Sequence, residues 1–217
     1  MSYVTIRSFG QDSFEEKKSE FIGYAKRVET EEEAKAFVDE IKGMHKQARH
    51  NCYAYVIGKN MGIQRYSDDG EPQGTAGIPI LEVMKKSGIT DCAIVVTRYF
   101  GGVLLGTGGL TRAYKKGASM AVKAAGIIEK VKGIKINVEI DYDLLGKVQY
   151  LCSQNNWYIE DTQYEDKVRF YILSEFETVH KIEEEITNVT KGTAIMSRED
   201  EGEYFKEENR LYKEVLI

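Results

Sequence analysis

The strongest constraint on this chain is a strand with no solvent face followed by a helix with almost no inner side chains. The run DCAIVVTRYF, residues 91–100, is apolar without alternation, the pattern of a central strand covered on both sides. From about Gly109 to Ala125, helical spacing brings Ala113, Gly117, Ala118, Ala121, Ala124 and Ala125 to one face. Side chains this small let a helix lie close to a sheet. The strand therefore belongs in mid-sheet, with this helix against it.

Between the two lies VVTRYFGGVLLGTGGLTRAYKKG, residues 95–117, which contains no acid. Glycine loses more freedom on ordering than any other residue, so a run of glycines calls for a reason. Neither the spacing of a P-loop nor a GxGxxG dinucleotide fingerprint is present. Backbone N–H groups leading into a helix N-terminus favour anions even so. Arg98 enters the loop, and Arg112, Lys115 and Lys116 leave it. Arg112, Lys116, Ser119 and Lys123 step by four, three and four, so they share one exposed stripe with Lys115 beside it. The candidate anion or nucleic-acid site is therefore Arg98, Gly101, Gly102, Gly106, Gly108, Gly109, Arg112, Lys115, Lys116 and Lys123. A competing reading keeps the glycines for tight packing and leaves the cations solvated.

Charge along the chain supports an anionic partner. The net charge over 217 residues is only −5. Residues 45–137 nevertheless hold 14 Lys+Arg against 6 Asp+Glu, while residues 138–217 hold 9 against 19. With 42% apolar and 30% charged residues, the composition is that of an ordinary globular protein. No secretory signal and no membrane-length apolar run is read in it, and three well-separated cysteines suit a reducing compartment. A cytoplasmic protein with no membrane attachment is expected.

Other elements follow from pattern. YVTIRSF and SEFIGYAKRV read as strands. Thr30 and Glu33 open a helix through Ala34, Phe37, Val38 and Ile41 with a capping box. NCYAYVIG and IQRYSDDG read as a hairpin around KNMG, and TAGIPILEVMKKSG as a helix closed by Gly88. After GIIEKVKG the pattern resets near Gly133 into strand, helix, strand, strand, helix, strand, the order of a ferredoxin-like domain. A remainder beyond Tyr204 is expected to fray.

Other candidate chemistry is thin. Asp68, Asp69 and Glu71 crowd together in YSDDGEPQGTAG, but the calcium-loop spacing is missing and Asp69-Gly70 is a turn signal. His45, His50 and His180 match no zinc helix and read as surface or capping residues. Cys52, Cys92 and Cys152 read as small buried hydrophobes. Trp157 and Tyr158 read as core strand residues. No nucleophile, base and orienting group can be assembled, so no catalytic residue, metal or cofactor is expected.

The run TRYFGGVLLGTGG, together with KKSEFIGYAKRV, RHNCYAYVIG, YSDDGEPQGTAGIPILEV and the acidic second half, resembles the YigZ/IMPACT family over nearly the whole chain. That resemblance implies an α+β fold of two domains. Residues 1–132 would be an IMPACT N-terminal-type domain, with a ribosomal-protein-like fold also seen in domain IV of elongation factor G. Residues 133–217 would be a ferredoxin-like domain similar to domain V of that factor. It also implies that Asp68, Asp69, Glu71 and Thr75 line the same cleft as Arg98 and the glycines. Eukaryotic members are translation regulators, although the extra N-terminal domain with which they make protein contacts is not expected in this chain. The expected function is non-enzymatic: regulation of translation through RNA, the ribosome or a ribosome-associated protein. The alternative is an enzyme or binding protein for a small phosphorylated or anionic ligand at the same glycine-rich loop.

Overall fold

In a computed structural model that describes residues 2–214, the chain forms strands β1 (Tyr3–Ile6), β2 (Gly10–Glu16) and β3 (Ser19–Arg27), then helix α1 (Glu31–Met44). The hairpin β4 (His50–Ile57) and β5 (Ile63–Ser67) follows, then α2 (Gly77–Lys86), β6 (Cys92–Tyr99) and α3 (Thr107–Ala125). The rest comprises β7 (Ile127–Ile140), α4 (Leu145–Gln154), β8 (Ile159–Tyr164), β9 (Val168–Glu175), α5 (Val179–Val189), β10 (Ile195–Glu207) and β11 (Arg210–Tyr212). These elements divide into two compact units, residues 3–128 and the residues from 129 onward.

In the first unit the sheet order is β2-β3-β6-β4-β5, every neighbouring pair antiparallel, with β6 central as its apolar run requires. Alternation along β6 sends Ile94 and Val96 to the side of α2 and α3, and Ala93 and Val95 to the side of α1. Both faces are thus covered. The α1 cap is formed as its sequence dictates: Glu33 N–H donates to Thr30 Oγ1, and Glu29 N–H donates to the Glu33 carboxylate. On α3 the small face does let the helix come close, for a Cβ on Gly23 of β3 would lie 2.3 Å from the Gly117 carbonyl oxygen. Tyr114 is buried in that same face, whereas Ala124 is exposed at its edge.

The second unit has the sheet order β10-β7-β9-β8, the ferredoxin-like arrangement, with α4 and α5 sharing one apolar core. The strand preceding α4 is longer than the reset near Gly133 suggested, running from Ile127. Gly133 sits inside it because a Cβ there would meet Tyr204 Cδ2 at 2.7 Å. Nor, among the described residues, does the chain fray past Tyr204; residues 215–217 of that expectation lie outside them. β10 continues and turns back into β11, pairing Phe205 with Tyr212 and burying Leu211 beside Tyr204 and Val131.

Candidate functional site

The head of α3 is bare. Gly106 caps it with φ of 71° and no capping side chain, and Leu110 N–H is the first to reach back, to Gly106 O at 2.9 Å. The N–H groups of the first turn therefore have no helical partner. No acid occurs on the 19-residue helix. Beside this head lies a cavity of about 330 Å³ lined by, among others, Arg49, Glu71, Arg98, Phe100, Gly106 and Thr107.

A buried ion pair forms the cavity floor. Arg98 Nη1 donates to Glu71 Oε1 at 2.7 Å, and Tyr114 OH donates to the same oxygen at 2.9 Å. Arg98 Nη2 reaches Ser19 Oγ at 3.3 Å, and the guanidinium lies 5.4 Å from the ring centres of both Phe21 and Phe100. Its Nε–H has no acceptor among the described residues. His50 Nδ1 donates to the Asp69 carbonyl at 2.8 Å, leaving Nε2 3.9 Å from Glu71. His50 is thus buried beside the site rather than on the surface, and sequence alone gave no sign of it. His45 does end α1 and also bridges Tyr24 and Tyr99.

Arg98 consequently stands apart from the exposed cations with which the sequence grouped it. Its position on the central strand leaves it 4% exposed, and Glu71 takes up its charge. The expected lining by Asp68, Asp69 and Thr75 also fails, because each is committed to bracing the loop. Asp68 accepts from the N–H groups of Gly74, Ala76 and Gly77, which caps α2 from a distance in sequence. Asp69 accepts from Lys42 Nζ at 2.9 Å and Asn51 N–H at 2.7 Å. Thr75 Oγ1 donates to Pro72 O at 2.6 Å. Only Glu71 of this group reaches the cavity.

The glycines divide by task. A Cβ on Gly101 would stand 1.8 Å from Lys18 O, so Gly101 serves close approach to the β2–β3 turn, and its N–H donates to Ser19 Oγ. Gly102 and Gly106 take positive φ, at 83° and 71°. Gly108 and Gly109 lie in the first turn of α3, where Gly108 has Arg112 Nη1 3.6 Å from its Cβ position.

Arg112, Lys116 and Lys123 are exposed along α3 as their spacing requires, with Lys115 half-buried. Lys115 Nζ meets Glu82 at 2.7 Å and Lys116 Nζ lies over the Phe14 ring at 4.2 Å, so the stripe is only partly compensated. The cysteines are buried, and burial pushes each thiol up, to about 11 for Cys152 and further for Cys52 and Cys92. Trp157 packs on the second unit's core, whereas Tyr158 is exposed beneath Arg210. No helix among the described residues is long and apolar enough to cross a membrane.

Two family models match in the order of the two units: the Impact N-terminal domain over residues 17–122 and a domain of unknown function, DUF1949, over residues 138–193. The Bacillus subtilis IMPACT family member YvyE is 41% identical over 191 residues, 88% of this chain and 88% of its own. The chain belongs to the IMPACT family. A Dictyostelium discoideum IMPACT homologue is 37% identical over 98 residues, 43% of this chain and 28% of its own. The crystal structure of a hypothetical protein, 31% identical, covers 93% of this chain and 98% of its own with a TM-score of 0.59. This IMPACT family protein is accordingly an α+β chain in which an Impact N-terminal domain is followed by a DUF1949 domain.

Proposed function

We propose that this IMPACT family protein acts on translation in the cytoplasm, without catalysis of its own, by contacting RNA phosphate on or near the ribosome through α3. One observation carries the proposal: Arg112, Lys116 and Lys123 are exposed on a helix that contains no acid. Cations held at helical intervals suit a backbone of regularly spaced phosphates. The family resemblance supports the direction, since it implies translation regulators among the eukaryotic members. The acidic second unit, repelled by RNA, would face protein or solvent.

Co-sedimentation with ribosomes tests this reading. The protein should travel with ribosomes at low salt and be released as salt rises, and Lys116→Glu combined with Lys123→Glu should abolish the association at low salt. Unchanged sedimentation by that variant would refute the role of α3.

A further inference from the structure

The geometry points to the cavity at the head of α3 as a receptor for a phosphate monoester, a site that shares Arg112 with the exposed stripe but does not depend on whether Lys116 and Lys123 meet RNA. Three observations converge there. The first turn of α3 presents backbone N–H groups that no side chain caps, and at Gly108 only Arg112 Nη1 stands near the Cβ position. Arg98, 4% exposed, lines the same cavity with an Nε–H that finds no acceptor among the described residues. A buried donor left without an acceptor is unfavourable until something supplies one. An oxyanion does so.

Charge and shape narrow the class. Glu71 neutralises Arg98, so the charges left for a ligand are those of Arg49, in the cavity wall, and Arg112, whose Nη1 stands beside Gly108 in the first turn of α3. Two cations and a set of converging N–H groups match a dianion, the charge of a terminal phosphate, better than the single charge of a diester. Phe100, 39% exposed and lying 5.8 Å from the Arg49 guanidinium, adds a flat apolar wall next to the anion position. A volume of about 330 Å³ accommodates a phosphate together with a small organic group. Such a phosphate could come from a free nucleotide or from the 5′ end of an RNA.

The test is calorimetric titration of the full chain with a nucleoside 5′-monophosphate, the matching nucleoside, inorganic phosphate, and one RNA oligonucleotide bearing either a 5′-phosphate or a 5′-hydroxyl. Wild type is compared with Gly108→Asp and Lys123→Ala. A carboxylate at Gly108 stands beside Arg112 Nη1 and the uncapped first turn, competes with the anion for both, and suits a helix N-terminus, so that variant should melt no lower than wild type. Saturable one-site binding of the monophosphate, with the nucleoside silent, is expected. Gly108→Asp should weaken that binding at least about tenfold, the scale of one lost charged hydrogen bond, and Lys123→Ala should leave it unchanged. Tighter binding of the 5′-phosphorylated oligonucleotide assigns the phosphate to an RNA end. Equal binding of the two oligonucleotides, with the monophosphate still bound, assigns it to a free nucleotide. Failure of both monophosphate and inorganic phosphate to bind, or undiminished binding by Gly108→Asp, would overturn the site. A loss of 5′-hydroxyl RNA binding in Lys123→Ala bears on the stripe alone.

Discussion

Arg98 and Glu71, 27 residues apart in sequence, meet at 2.7 Å with side chains only 5% and 4% exposed. Removing one partner of such a pair leaves the other charged and almost wholly buried. Glu71→Ala should therefore cost about 3–5 kcal/mol of unfolding free energy, read by urea denaturation. The double variant Arg98→Met with Glu71→Leu should cost less than the sum of the two single changes, because neither charge is stranded. Additive losses would show that the pair is not coupled.

Asp68 is a remote cap. Its carboxylate accepts from the first N–H groups of α2, although Asp68 precedes that helix by nine residues at Gly77. Asp68→Ala should lower stability by about 2 kcal/mol, the upper range for losing a helix cap. Asp68→Asn should recover part of the loss, since an amide oxygen still accepts. Equal loss in both variants would deny the capping role.

How much of this was legible in the sequence depended on how local the cause was. The Thr30 cap, the Gly88 stop, the buried run of β6 and the α3 stripe all follow from neighbours a few residues apart. β2 was missed because Gly10–Glu16 is polar and mostly exposed, an edge strand held by pairing rather than by burial. Its hairpin turn uses Lys17 and Lys18, with φ of 47° and 64°, where Asn-Gly would have signalled it. The site was half legible. Glycines and cations announced an anion-favouring helix head, yet nothing local reveals that Arg98 turns inward to Glu71 or that Asp68 turns to cap α2. Those partners are chosen by the fold.

His45 should give the first unit a pH dependence. Burial holds its imidazole below the ordinary value, with Glu20 offsetting part of the effect. As pH falls through the ordinary histidine range near about 6.5, the unfolded chain takes up its proton before the folded one, so stability is full above that range and declines below it. Melting temperature should fall between about pH 7 and about pH 5, and His45→Gln should reduce the fall. An equal fall in both proteins would place the titration elsewhere.

The central claim is that α3 meets phosphate through Arg112, Lys116 and Lys123. Fluorescence anisotropy with a single-stranded RNA lacking a terminal phosphate, repeated across a salt series, tests it most directly. Three phosphate contacts predict a slope of about −2 in log binding constant against log salt, given about −0.7 per contact on a single strand. The slope should become shallower by about one contact for each of Lys116→Ala and Lys123→Ala. A flat salt dependence, or a slope unmoved by both substitutions, would contradict the account.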